Sequence, residues 1–152
     1  MFTFLSDRGE IKKTFDELKT RAETFQIDDL TSGEWLITAV SDALEGYGDR
    51  STLSYFRRRY PGLELEKIIE RRIERAKRHA AFEGALTAGA VTTAVAATIA
   101  SGGSASVVTM PAGVVVFVTD LLYSTRLQLR LAYDISVLSG HPVDLSEPDE
   151  VR

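Results

Sequence analysis

Between Gly84 and Thr119 the chain carries no charged side chain, although a quarter of the whole sequence is Asp, Glu, Lys or Arg. That segment must be shielded from water, by the rest of the chain, by another copy or by lipid. Its first part, Gly84–Ala100, is Ala, Gly and Thr with only Leu86, Val91, Val95 and Ile99 as bulky residues. Ser101-Gly102-Gly103-Ser104 is a turn by composition. Pro111 suits a helix start, where its missing N–H would be unpaired anyway. The pattern predicts two antiparallel helices, Lys67–Ala100 and Pro111–Ser139, closed by Gly140 and Pro142. Gly84, Ala88, Gly89 and Ala96, with Pro111 and Gly113 on the other arm, are expected at their contact, because small residues let backbones approach closely.

Neither arm is a good membrane span by itself. Gly84–Ala100 reaches about 25 Å as a helix, against a hydrocarbon core of about 30 Å. Its four bulky residues offer roughly 0.3–0.6 kcal/mol each towards insertion. In the second arm Val114–Val118, Leu121 and Leu122 are interrupted by Asp120, which costs about 2.5–3.5 kcal/mol at a span centre. Insertion as a pair and burial as a core pair in water both stay open.

The remainder reads as helices too. Ile11, Phe15, Leu18, Ala22 and Phe25 recur at helical spacing, with Asp7 and Glu10 as a capping box. Thr31 and Glu34 signal a second start before Trp35, Leu36, Ala39, Val40, Ala43 and Leu44, ended by Gly46 and Gly48. A short helix is expected over Ser51–Tyr60, stopped by Pro61-Gly62. No strand pattern stands out. The expectation is an all-α single domain over 1–152, a helical bundle around a long small-residue hairpin. Amphipathic helices occupy 1–60, the hairpin 63–140 and an acidic tail 141–152.

Charge narrows the function. A net charge of −4 argues against nucleic acid, as do Glu64, Glu66, Glu70 and Glu74 interleaved with the basic residues. Arg71, Arg72, Arg75, Lys77 and Arg78 crowd the approach to the hairpin, where each would add on the order of 1 kcal/mol near an anionic leaflet. With no cysteine there are no disulfides and no thiolate chemistry. The start, Met1-Phe2-Thr3-Phe4, lacks the basic region of a secretory signal. No phosphate loop or hydrolase motif occurs. His79 and His141 read as surface residues, so catalytic residues, cofactor and metal are all expected to be none.

One polar line deserves notice on the second arm. Tyr123, Arg126, Arg130 and Asp134 follow helical spacing, and Asp120 lies towards the apolar side. A carboxylate at the edge of an apolar segment needs a partner; Arg75 or Arg78 is expected.

Leu65–Gly89, with its run Arg71-Arg72-Ile73-Glu74-Arg75-Ala76-Lys77-Arg78, resembles the EcsC-type bacterial helix that leads into an Ala/Gly segment. Met110-Pro111-Ala112-Gly113, Asp120 and Leu127–Ile135 resemble that family's Pro/Gly helix start, aspartate and following amphipathic helix. Hydrophobic helical modules of membrane-linked GTPases are similar. The resemblance covers Leu65 to Pro148. It departs where Ser139-Gly140 stands for the usual Tyr-Gly, and where family members continue into further helices that another subunit would have to replace here. It implies a bacterial, cytoplasmic or membrane-apposed helical protein, with some relatives linked to export transporters, and it assigns no catalytic residue. The leading expectation is a non-enzymatic accessory protein at the inner face of the plasma membrane, with an anionic lipid surface or a membrane protein as partner. The alternative is a soluble cytoplasmic scaffold that forms homo-oligomers through the same hairpin. A third, remote, is an enzyme using Asp120, Tyr123 and Arg126.

Overall fold

The computed structural model describes residues 2–100 and 112–143. Seven helices occur among them and no strand: α1 (Phe2–Ala22), α2 (Ile27–Ser32), α3 (Glu34–Leu44), α4 (Tyr47–Arg50), α5 (Leu53–Arg59), α6 (Leu65–Ala100) and α7 (Ala112–Leu138). The all-α expectation holds, and both long helices lie within a few residues of their expected limits. The turn and Pro111 fall outside the described residues, as does most of the acidic tail.

Two helix starts differ from the sequence reading. α1 begins at Phe2, so Asp7 and Glu10 are interior residues and not a cap; Asp7 is buried. The Thr31 start is replaced by a break at Gly33, whose φ of 75° ends α2 and lets α3 begin at Glu34. Only glycine adopts that left-handed conformation without a Cβ penalty. α2 has its own cap, where the Gln26 backbone N–H donates to Asp29 Oδ2 at 2.8 Å. Thr52 caps α5 by accepting from the Tyr55 N–H at 3.2 Å.

The chain forms two compact units. Unit 1 comprises residues 1–37 and 79–124, and unit 2 comprises 38–78 and 125–152. α6 passes from unit 2 into unit 1, and α7 passes from unit 1 into unit 2.

Unit 1 buries one face of α1 (Ile11, Phe15, Leu18 and Ala22) and Val115, Val116, Val118, Leu122 and Tyr123 of α7. The β-branched run in α7 disfavours helix by some tenths of a kcal/mol per residue. Burying a valine returns about 1.5 kcal/mol or more, so packing overrides propensity. Phe25 lies against Trp35 at 6.1 Å between ring centroids, and the Trp35 indole N–H donates to the Leu30 carbonyl. Unit 2 is built on Phe56, Ile68, Val137 and Leu138, flanked by Leu53, Tyr60, Leu65, Ile69 and Tyr133.

Among the described residues, the small residues expected at the helix contact lie on the surface. Gly84, Ala88, Gly89, Ala96 and Gly113 are exposed. A Cβ placed on Gly84, Gly89 or Gly113 would meet nothing within 4 Å. Periodicity could not separate the face of α6 that meets α7 from its neighbour, because small residues occur all round this helix. The face that turns inward carries Glu83 and Thr87.

Candidate functional site: two buried polar clusters

In unit 2 the cluster centres on Asp134, which has no exposed surface. Arg72 of α6 approaches it with Nε at 2.8 Å and with Nη2 on the same oxygen. Tyr47, the first residue of α4, donates its hydroxyl to the carboxylate at 2.9 Å and accepts from Arg72 Nη2 at 3.2 Å. Ser51, also buried, helps to keep Asp134 ionised. Arg130, one turn before Asp134, donates to the Ala43 carbonyl at 2.8 Å, and its guanidinium lies 4.7 Å from the centre of the Tyr47 ring. Gly46, with φ 60°, makes the turn that brings Tyr47 here.

Burial pulls the Arg72 guanidinium down, but Asp134 and Tyr47 more than offset it, and Arg72 is held charged well above its ordinary range. Burial likewise raises the Asp134 carboxyl and the Tyr47 hydroxyl. With these donors around it, the carboxylate is occupied by the protein itself. This arrangement locks α4, α6 and α7 together and leaves Asp134 little capacity for an outside ligand.

In unit 1 the cluster is made of two acids and an alcohol. Glu83 of α6 is 3% exposed and Asp120 of α7 is half-buried. Thr87 Oγ1 lies 2.8 Å from Glu83 Oε1 and 3.2 Å from Asp120 Oδ1. Burial, and then the neighbouring Asp120 carboxyl, push the Glu83 carboxyl up from an ordinary 4.5 to about 7. The Thr87 hydroxyl acts in the opposite direction, and the Asp120 charge adds to the rise.

The polar line of α7 is thus divided. Asp120 belongs to the acid pair of unit 1. Its partners there are Thr87 and Glu83, not the expected arginine. Arg130 and Asp134 belong to the ion-pair cluster of unit 2. Tyr123 is buried, and Arg126 is half-buried with an Nε that has no hydrogen-bond partner. Of the basic residues assigned to a lipid surface, Arg71 and Arg78 are exposed and Arg75 is half-buried. Lys77 bonds Glu74 at 2.9 Å. Arg72 must be withdrawn from that set, because Asp134 engages it.

Glu83, Thr87, Tyr47 and Ser51 were not singled out by sequence. A signal existed for the first. Glu83 is the last charge before the charge-free segment and Asp120 the first after it. In an antiparallel hairpin, two such bracketing residues fall opposite each other. Tyr47 and Ser51 had no comparable signal, because their partner lies 87 residues away for the tyrosine.

Among the described residues no helix is long and apolar enough to cross a membrane. The chain matches no family model, no curated protein and no solved structure. Fold and site therefore define a class only: an all-α protein whose two long helices are joined by buried polar clusters.

Proposed function

We propose that the chain acts by contact and not by catalysis, as a self-assembling helical interaction protein whose charge-free arm meets a second copy. The observation that carries this reading is the exposure of that arm in unit 1. Gly84, Ala85, Ala88, Gly89, Thr92, Thr93 and Ala96 are exposed, Val91 is 40% exposed and Phe117 is 64% exposed. Alanine, glycine and threonine contribute little to lipid insertion, whereas they permit close backbone approach to another helix.

The test is light scattering of the full chain in dilute, detergent-free buffer. A defined oligomer is expected. Gly89→Leu should dissociate it without loss of helix content, since the new side chain has open space around it within the chain. A monodisperse monomer in both proteins would overturn the proposal.

A second reading, a membrane-apposed accessory protein of the EcsC type, is favoured by the exposed arginines Arg57, Arg58, Arg59, Arg71 and Arg78. Flotation with anionic vesicles, lost with zwitterionic ones, is its expected outcome. Failure to float with either would exclude it.

A further inference from the structure

Three oxygen-bearing side chains converge in unit 1, and their hydrogens do not suffice if both acids are ionised. Thr87 owns one hydroxyl proton yet contacts both Glu83 and Asp120. The hydroxyl can donate to only one of them, which leaves the other contact without a hydrogen. Two carboxylates have only acceptors, so that second contact requires one acid to carry a proton. Glu83, at 3% exposed, is the more buried of the two. Protonated, it donates to Thr87 Oγ1, and Thr87 donates in turn to Asp120, so both contacts are served.

We propose that Glu83, Thr87 and Asp120 form a proton-dependent latch, which clasps α6 to α7 in unit 1 while Glu83 carries a proton and loosens when that proton leaves. Loss of the proton leaves two negative charges side by side, one of them buried, where their repulsion is stronger than in open water. No cation offsets it among the groups acting on Glu83; the charge that acts there is Asp120. Other titratable groups stand on the packed elements of unit 1, among them Tyr123, buried one turn after Asp120 on α7. His79 stands one turn before Glu83 on α6 and is half-buried. On α1, Asp7 is buried, and the Arg8 guanidinium lies over the ring of Phe82 at 5.4 Å.

The upward shift of Glu83 fits this geometry and sets the range. Its ordinary value is 4.5 and its value in the fold is about 7. A carboxyl raised on folding favours the folded state at low pH. The contribution is complete below 4.5 and is lost as pH rises through about 7. The latch is therefore closed in mildly acidic solution and weakened just above neutrality. This inference is independent of self-assembly, because it is read within one chain.

Hydrogen–deuterium exchange of residues 84–93 and 112–119, corrected for intrinsic rates, tests it at about pH 5.5 and about pH 8.5. In the unaltered chain, protection should fall about tenfold or more between the two. Glu83→Gln, a neutral side chain whose amide can donate to Thr87 as the protonated acid does, should hold its protection across the range. Unchanged protection in the unaltered chain, or an equal fall in Glu83→Gln, would overturn the latch. Should Glu83→Gln fail to fold, infrared spectroscopy decides. The carbonyl band of a protonated carboxyl should vanish over the same pH range, at a lower midpoint in Asp120→Asn. Absence of the band at about pH 5.5, or a midpoint unmoved by Asp120→Asn, refutes the proposal.

Discussion

The same two helices are fastened in two opposite ways. In unit 2, α6 offers Arg72 and α7 offers Asp134, so the buried charges cancel. In unit 1, α6 offers Glu83 and α7 offers Asp120, so the buried charges add unless a proton intervenes. Burial acts on both clusters, and the sign of the partner decides the result. One cluster keeps its ions because each is the other's counter-charge; the other has to give up an ion. The difference shows that a polar contact in a helix interface has no fixed meaning until its partner across the interface is known.

The comparison breaks most readily at Arg72. Arg72→Met leaves the Asp134 carboxylate buried without a counter-charge and should destabilise unit 2 by about 3–5 kcal/mol. Chemical denaturation followed by circular dichroism measures this. Adding Asp134→Leu should recover much of the loss, since replacing a buried pair by apolar residues is often neutral. A single-variant cost below about 1 kcal/mol would mean that the ion pair is not what holds α6 to α7.

Next in size is the acid pair. A carboxyl raised from 4.5 to about 7 corresponds to at most about 3 kcal/mol of stability, less once solvent screening is counted, gained in acid and lost by mild alkali. Denaturation midpoints across that range should decline for the unaltered chain. Glu83→Gln should abolish the decline. Asp120→Asn should only lessen it, because burial, the largest cause of the shift, stays in place. Equal slopes in all three proteins would remove the contrast between the units.

Tyr47→Phe sharpens the comparison at the level of one hydroxyl, which donates to Asp134 and accepts from Arg72. It deletes a neutral donor to the ionised Asp134 and keeps the ring beneath Arg130. The expected loss is about 1.5–3 kcal/mol, read by the same denaturation experiment. A negligible loss would show that Arg72 alone satisfies the carboxylate.

The smallest effect concerns the exposed arm. Gly89→Ala should stabilise α6 by about 0.5–1 kcal/mol, because glycine is a poor interior helix residue and the added methyl meets nothing. A loss of thermal stability in a monomeric sample would mean that Gly89 is packed after all.

Helix periodicity and the charge-free segment by themselves determined the class of fold, the limits of α6 and α7 and the apolar face of α1. These follow from local spacing: Ile11, Phe15, Leu18 and Ala22 share one side of a helix in any packing. Tyr47, Arg72 and Asp134 are far apart in sequence, and no local pattern announces their meeting. Arg72 looked like its basic neighbours Arg71 and Arg78 because all three share one charged stretch; only packing against α7 turned Arg72 inward and left the others in solvent. Gly84, Ala88 and Gly89 looked like a packed seam because small residues permit close approach. Permission is not contact, and the rotation of α6 about its own axis gave that position to Glu83 and Thr87. Rotation is settled by the free energy summed over the whole interface, including the proton that the acid pair needs, and that sum is a property of the tertiary structure.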